Sequence, residues 1–315
     1  MTNTTWTPVT GDRQLWAKIE IGNIGQVVTG IKLKIGSESW TISIDHTTAT
    51  IRSDHNERGS EIDARMNTPE WNRMVKKVEI AVSYMRALVT FAFETPTKRG
   101  FESNVLGEID DFYPTSHELR QYAMSDENHR VSLRVATNMG SRYNRNLHDL
   151  VQLWRRGYEF DEMNYFSEAY LNFYKIFESI GKKVPRGTNP RWQVLKTKYI
   201  DDPSFIATNN INAKDVRFAG SFFVALKFTP SDAQFLSICR VASIRNNYGI
   251  AHAVSKTSFK YSSIGQYDDY YESMVMDLLN VKEIARYAVL VITGYKSYWL
   301  DGNNGSFLLR NKYVR

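Results

Sequence analysis

The chain has 315 residues and a mass of 36.4 kDa, with 42% hydrophobic and 13% aromatic residues. This composition provides for one large folded domain or two ordinary ones, and it excludes a disordered tail or a low-complexity protein. The net charge is +6, but residues 1–150 sum to −1 (18 basic, 19 acidic) and residues 151–315 to +7 (22 basic, 15 acidic). The basic excess therefore belongs to the second half.

The sequence contains no signal for export or membrane insertion. Its single cysteine, Cys239, excludes an intramolecular disulfide and a multi-cysteine zinc site, and fits a reducing compartment. The first ten residues carry neither the basic flank nor the apolar run of a signal peptide. The richest apolar stretch, residues 284–295, is too short to span a bilayer and contains Arg286. We expect a soluble, cytoplasmic protein with no membrane partner.

The first fifty or so residues alternate polar and apolar side chains, which is typical of strands. The alternation predicts strands at residues 16–21, 27–35, 39–44 and 47–53. Gly22, Asn23 and Gly25 supply a turn after the first. These elements indicate a small antiparallel sheet. Residues 70–93 fit either a helix throughout or a helix with a β-rich end at 88–93.

From residue 144 the apolar period changes to 3.6, which predicts helices. They are expected at residues 144–156, 165–180, from Ser231 onward, at 267–279 and at 281–298. Ser231 and Gln234 have the spacing of a capping box. Residues 110–146 are polar and irregular, and we place the domain boundary near their end. The prediction is an α+β protein, with a β-rich domain over residues 1–145 and a helical domain over residues 146–315.

Common metal, phosphate and nucleophile motifs do not occur in this sequence: HExxH, GxxxxGK[ST], GxSxG and GxGxxG are all missing. The six histidines are scattered, so we expect no metal and no cofactor. What remains is the segment 245–252, RNNYGIAH, in which six residues separate an arginine from a histidine at the end of a predicted helix.

Spacing gives this segment a physical interpretation of its own. Arg245 lies three and seven residues beyond Ala242 and Ile238, so it shares the apolar stripe of its helix and needs an anionic partner. Gly249 can adopt the left-handed conformation that ends a helix. The chain could then bring His252 back toward Arg245, so that both face one cleft. The alternative is an arginine paired with a core carboxylate and a loop histidine with no catalytic role.

The segment resembles the HEPN superfamily, whose helical bundle carries an R-x(4–6)-H motif with a polar residue after the arginine, a place that Asn246 fills. The resemblance extends to the predicted helices at 165–180 and 281–298, and is nearest to the ApeA-like abortive-infection branch. A second match, Arg142 to His148, lacks the asparagine and begins a predicted helix instead of following one.

The resemblance implies a HEPN-like helical domain that acts as a metal-independent endoribonuclease, a toxin of antiviral defence, abortive infection or growth arrest. It also implies a homodimer with a composite active site. Histidine can move a proton near neutral pH, arginine can stabilise phosphoryl charge, and the attacking 2′-hydroxyl is present in RNA and not in DNA. Asn246 would position Arg245 or the phosphate, and Tyr248 either stacks on a base or packs in the core. The first domain would sense a trigger or bind a regulatory protein partner.

A basic stretch favours RNA as the partner. It contains six cations and no acid within seventeen residues: Lys182, Lys183, Arg186, Arg191, Lys196 and Lys198. Trp192 and Tyr199 add flat rings, a composition suited to phosphates and stacked bases. The alternative is a solvated loop and helix face. Glu168, Lys175 and Glu178 on the aromatic helix could border the cleft, but we expect them to be ordinary exposed positions of an amphipathic helix.

Two other functions remain open from the sequence. One is a catalytically silent HEPN-type module that binds RNA or a protein, as an antitoxin or adaptor does. The other is a structural protein whose helices dimerise through their aromatic faces, without RNA affinity.

Overall fold

The structure is a computed structural model. It describes residues 11–59, 65–98, 100–109, 133, 135–137, 139–141, 143–181, 189–247 and 264–293, with no side-chain description at 11–13, 59, 246–247 and 264–273. An antiparallel sheet precedes a helical region, so the predicted α+β class is confirmed. The chain divides into two compact units, Met1–His148 and Asp149–Arg315.

The described part of the first unit contains one sheet of six antiparallel strands, in the order β2-β3-β4-β1-β5-β6. Its strands are β1 (Gly11–Glu20), β2 (Val27–Ile35), β3 (Glu38–Asp45), β4 (Thr48–Gly59), β5 (Phe101–Ser103) and β6 (Gly107–Ile109). The four predicted strands are confirmed, and β2 has the predicted bounds. The two short strands β5 and β6, at one side of the sheet, were not predicted.

Register explains which face of the sheet is buried. Ile31 pairs with Ile42, Ile42 with Ile51, and Ile51 with Ala17. This row crosses four strands, and each of its members is at most 2% exposed. Since side chains alternate along a strand, the neighbouring residues lie on the opposite, polar face.

The buried face of the sheet packs on helix α1 (Pro69–Phe93), which contacts β1 and β4. Thr68 caps the helix by accepting a hydrogen bond from the Trp71 backbone N–H, and Pro69 occupies the first turn. Every residue from 87 to 93 is buried. A helical segment that is buried on all sides shows no amphipathic period. The sequence therefore left the last residues of α1 ambiguous between helix and strand. The helical interpretation is confirmed as far as Phe93.

The stretch 110–146 was predicted to be irregular, and this is wrong for residues 133, 135–137 and 139–141, which the structure describes as helical. Val135, Ala136 and Met139 are buried there. A Cβ placed on Gly140 would lie 2.3 Å from the Lys32 carbonyl oxygen of β2, so only glycine permits this close backbone approach.

The second unit consists of helices in its described part. They are α2 (Arg145–Glu162, which begins just before the unit boundary), α3 (Phe166–Gly181), α4 (Pro190–Leu195), a π-helical turn (Lys196–Ile200), α5 (Pro203–Thr208), α6 (Ala213–Ala225), α7 (Asp232–Asn247) and α8 (Ile264–Ile292). None of the described helices combines the length and apolar content needed to cross a bilayer.

The prediction of two helices at 267–279 and 281–298 is wrong, because α8 runs without a break from Ile264 to Ile292. Asn280 lies inside it and its side-chain amide donates to Asp277 Oδ1 (3.4 Å). An asparagine in a helix interior lowers the stability of the helix by well under about 1 kcal/mol. The burial of neighbouring side chains of α8 outweighs this loss. Residues 294–298 lie outside the described part.

Helix α3 forms the centre of the second unit, in contact with α6, α7 and α8. Its aromatic residues Tyr170, Phe173, Tyr174 and Phe177 are at most 3% exposed. These four rings are covered within one chain, so they do not form an exposed face through which the helices could dimerise.

Candidate active site

Helix α7 carries the predicted arginine, and its start is fixed by the predicted capping box. Gln234 N–H donates to Ser231 Oγ (3.3 Å), and Ser231 N–H donates to Gln234 Oε1 (2.9 Å). Two backbone donors at the helix start are thereby satisfied. The prediction of a helix beginning at Ser231 is confirmed, with Asp232 as its first residue.

Arg245 lies in the last turn of α7. Ile238 and Ala242, on the same stripe, are fully buried, while the Arg245 side chain is 19% exposed. Its Nη2 lies 3.4 Å from Glu178 Oε1, and its Cζ lies 5.3 Å from the centre of the Tyr174 ring. The prediction that Arg245 shares a buried stripe and takes an anionic partner is confirmed.

The anionic partner of Arg245 is a residue that we expected to be an ordinary exposed position. Glu168 and Lys175 on α3 are exposed, as predicted. Glu178 is not an ordinary exposed position, because its side chain is only 25% exposed and contacts the guanidinium. The correction follows from packing: α3 and α7 are in contact, and Glu178 lies one turn beyond Tyr174 on the face turned to Arg245.

A second acid lies close to this group. Asp215, in the first turn of α6, is 2% exposed. Burial raises the pKa of Tyr174 well above its usual range; the nearby Arg245 lowers that pKa, whereas Glu178 and Asp215 raise it further. Burial and Asp215 likewise raise the pKa of the Cys239 thiol. Tyr174 and Cys239 are therefore neutral near pH 7, and the ionic chemistry belongs to the arginine and the carboxylates.

The remaining motif residues have no described side chains. Asn246 continues α7, but its side chain is not described. Tyr248, Gly249 and His252 lie outside the described residues. The convergence of Arg245 and His252 on one cleft thus stays a prediction.

The second arginine–histidine match has a different environment. His148 stacks on Tyr84, with ring centres 3.7 Å apart and planes 9° apart, and its Nδ1 lies 3.4 Å from the Tyr143 hydroxyl. It lies in the first turn of α2, so the prediction that this match begins a helix is confirmed. Its aromatic packing gives His148 a structural role.

The basic stretch is described only from residue 189, so Lys182, Lys183 and Arg186 lie outside the described residues. Arg191 on α4 is exposed. Lys196 pairs with Asp201 (3.3 Å) and Lys198 with Asp232 (2.8 Å). The acids that neutralise these lysines follow the run in sequence, which is why the run itself appeared free of acid.

The aromatic residues of this stretch are not available to bases. Trp192 is 7% exposed and Tyr199 1%. A Cβ on Gly220 of α6 would lie 3.1 Å from the Trp192 ring, and Tyr199 stacks on Phe235 with centres 3.9 Å apart. The prediction that Trp192 binds substrate is wrong, as is the expectation that Tyr199 offers a stacking surface. Both rings lie on the inner face of α4 and the π-helical turn, and the cations on the outer face.

Among the residues that the structure describes, no group of three or more His, Cys, Asp or Glu side chains could hold a metal ion. Comparisons with protein-family models, with curated proteins and with solved structures found no match to this chain.

Proposed function

We propose that the chain is a metal-independent endoribonuclease in which Arg245 and His252 act on RNA. The observation that carries the proposal is the environment of Arg245. Its guanidinium is held at the end of α7 between a carboxylate and an aromatic ring, and its side chain is 19% exposed. A short segment containing a glycine separates Arg245 from His252.

In the proposed reaction the 2′-hydroxyl of RNA attacks the adjacent phosphate. His252 takes the hydroxyl proton, a new bond forms between the 2′-oxygen and phosphorus, and the bond from phosphorus to the 5′-oxygen breaks. The leaving 5′-oxygen receives a proton, so the products are a 2′,3′-cyclic phosphate and a 5′-hydroxyl. Arg245 stabilises the charge that accumulates on the phosphoryl oxygens.

One histidine in each motif cannot easily be both base and acid in one turnover. We therefore propose a homodimer in which the motifs of two chains form a composite site. Asn246 would position the arginine or the phosphate, and Arg191, with Lys182, Lys183 and Arg186, would attract the RNA backbone. Residues 1–145 would sense a trigger or bind a regulatory partner. The protein as a whole would act in the cytoplasm, in defence or growth arrest.

The test is RNA cleavage in EDTA by the wild-type protein and by Arg245→Ala and His252→Ala. Each variant should lose at least about 100-fold in rate, the usual effect of removing an acid–base group or a charge-stabilising donor. Matched controls are Arg156→Ala and His55→Ala, which remove an exposed arginine and an exposed histidine and should cleave like wild type. Circular dichroism of all variants checks their folding. Wild-type rates in both motif variants would refute the proposal.

A catalytically silent RNA- or protein-binding module is the second candidate. It is favoured by one specific observation, namely that Glu178 already offers Arg245 an anionic partner, as the non-catalytic interpretation of the motif expects. The ends of the RNA discriminate between the two functions, because only the enzyme produces cyclic phosphate. Binding of intact RNA, with affinity that falls as salt rises, would support the silent module.

A further inference from the structure

We infer that Glu178 is a positioning residue, which acts through Arg245 to hold the guanidinium in the orientation that catalysis requires. This inference rests on the ribonuclease function proposed above. It assigns a role to a residue that lies outside the arginine–histidine motif and on a different helix.

The contacts between α3 and α7 repeat at the spacing of one helical turn. The Tyr170 hydroxyl of α3 donates to the Val241 carbonyl of α7 at 3.0 Å. One turn further along both helices, Tyr174 lies under Arg245, and one turn beyond that, Glu178 reaches the same guanidinium. Because residues four apart lie on one face of a helix, a single stripe of α3 anchors α7 and holds its arginine.

Each of the two contacts restricts a different motion of the side chain. The Tyr174 ring, 3% exposed, supports the guanidinium at 5.3 Å by a cation–π contact. The carboxylate of Glu178, 3.4 Å from Nη2, fixes how the planar fork is turned, because arginine hydrogen bonds are directional. A long side chain that is already ordered loses less freedom when it meets the substrate, and this favours the transition state.

Partial burial makes the pair more than a surface contact. The side chains are 19% and 25% exposed, so solvent screens the attraction less than it would for two exposed ions. Asp215 adds a second negative charge near Tyr174, whereas the carboxylate of Glu178 contacts the guanidinium itself. Glu178 is therefore the residue to test.

The experiment compares Glu178→Gln with Glu168→Gln in single-turnover and steady-state RNA cleavage. Glu168 lies on the same helix and is exposed, so its variant should equal wild type. Glu178→Gln keeps the size of the side chain and removes its charge. The Glu178→Gln variant should lower kcat on the order of 10- to 100-fold, while KM changes by less than about 2-fold. A melting curve equal to that of wild type shows that the loss is not caused by unfolding.

A double-mutant cycle tests whether Glu178 acts through Arg245. In an Arg245→Lys background, adding Glu178→Gln should lower kcat by less than about 2-fold, because the fork that it orients is gone. A merely structural role would give the same loss in both backgrounds, and that result would overturn the inference.

The outcomes separate the inference from the function on which it rests. If wild type cleaves RNA, Arg245→Ala abolishes cleavage and Glu178→Gln cleaves like wild type, the inference fails and the function stands. If wild type does not cleave RNA, both fail together.

Discussion

Replacing Gly157 by alanine should destabilise the second unit, because this position of α2 lies against the ring of Phe173 in α3. A Cβ at Gly157 would lie 2.6, 2.8 and 2.9 Å from three carbons of that ring. Non-bonded carbons prefer about 3.5–4.0 Å, so the ring or the helix would have to move by roughly 1 Å. Phe173 is fully buried and also contacts Trp154, which leaves it little room.

The magnitude follows from two opposing effects. Overpacking a core typically costs about 1–3 kcal/mol, whereas alanine gains about 1 kcal/mol over glycine in a helix interior. Gly181, the last residue of α3, is the control, because among the described atoms the nearest to its Cβ would be the Phe222 backbone nitrogen, at 3.7 Å. Because Gly181 ends its helix, alanine gains less there than at Gly157, which offsets part of the steric cost. We expect Gly157→Ala to be less stable than Gly181→Ala by about 1–2 kcal/mol.

Urea unfolding followed by circular dichroism measures this difference as a shift in midpoint at constant slope. The result bears on the candidate site, since Phe173 precedes Tyr174 and shares its helix with Glu178. Equal stability of the two alanine variants would refute the proposed packing of α2 on α3.

Two further predictions concern stability. Ser231→Ala should cost about 1 kcal/mol in urea unfolding because it removes the acceptor of the Gln234 N–H, whereas Ser237→Ala, inside the same helix, should cost less; an equal cost would argue against the capping box. Burial raises the pKa of Asp277 in the folded protein, although Arg240 and Asn280 lower it. The protonated side chain therefore contributes to stability below the unfolded pKa of about 3.9. That contribution is lost as pH rises through the higher folded pKa. Asp277→Asn should therefore melt above wild type at pH 7, with the difference closing below about pH 4; a gap independent of pH would contradict this.

Local patterns predicted the elements that are amphipathic and capped. The strand at 27–35 and the start of α7 follow from alternation and from the Ser231–Gln234 spacing. Patterning failed at the end of α1 and within α8. In α1 burial on all sides removes the periodicity, and in α8 the break expected at residue 280 does not exist.

The short helices between residues 190 and 225 were missed, although their capping signals are in the sequence. Asn189 and Asp202 each cap a helix that begins with proline, and Asn212 caps α6. With six residues each, α4 and α5 are too short to show a period, so only the caps could have identified these two helices. The π-helical turn after α4 also changes which residues face inward, and composition could not show that Tyr199 is buried.

The candidate site was predictable in kind but not in detail. Spacing along α7 showed that Arg245 needs an anion, because that is a property of one helix. The identity of that anion, Glu178, depends on how α3 packs against α7, sixty-seven positions away in sequence. Tertiary packing of this kind is not visible in local periodicity.

The most direct test of the central claim is the chemistry of the RNA ends after incubation with the wild-type protein in EDTA. Mass spectrometry should find 2′,3′-cyclic phosphate on one fragment and 5′-hydroxyl on the other, and replacing the ribose at the cleaved position by deoxyribose should stop the reaction. Intact RNA, or fragments bearing 5′-phosphate, would contradict cleavage by Arg245 and His252 through the 2′-hydroxyl.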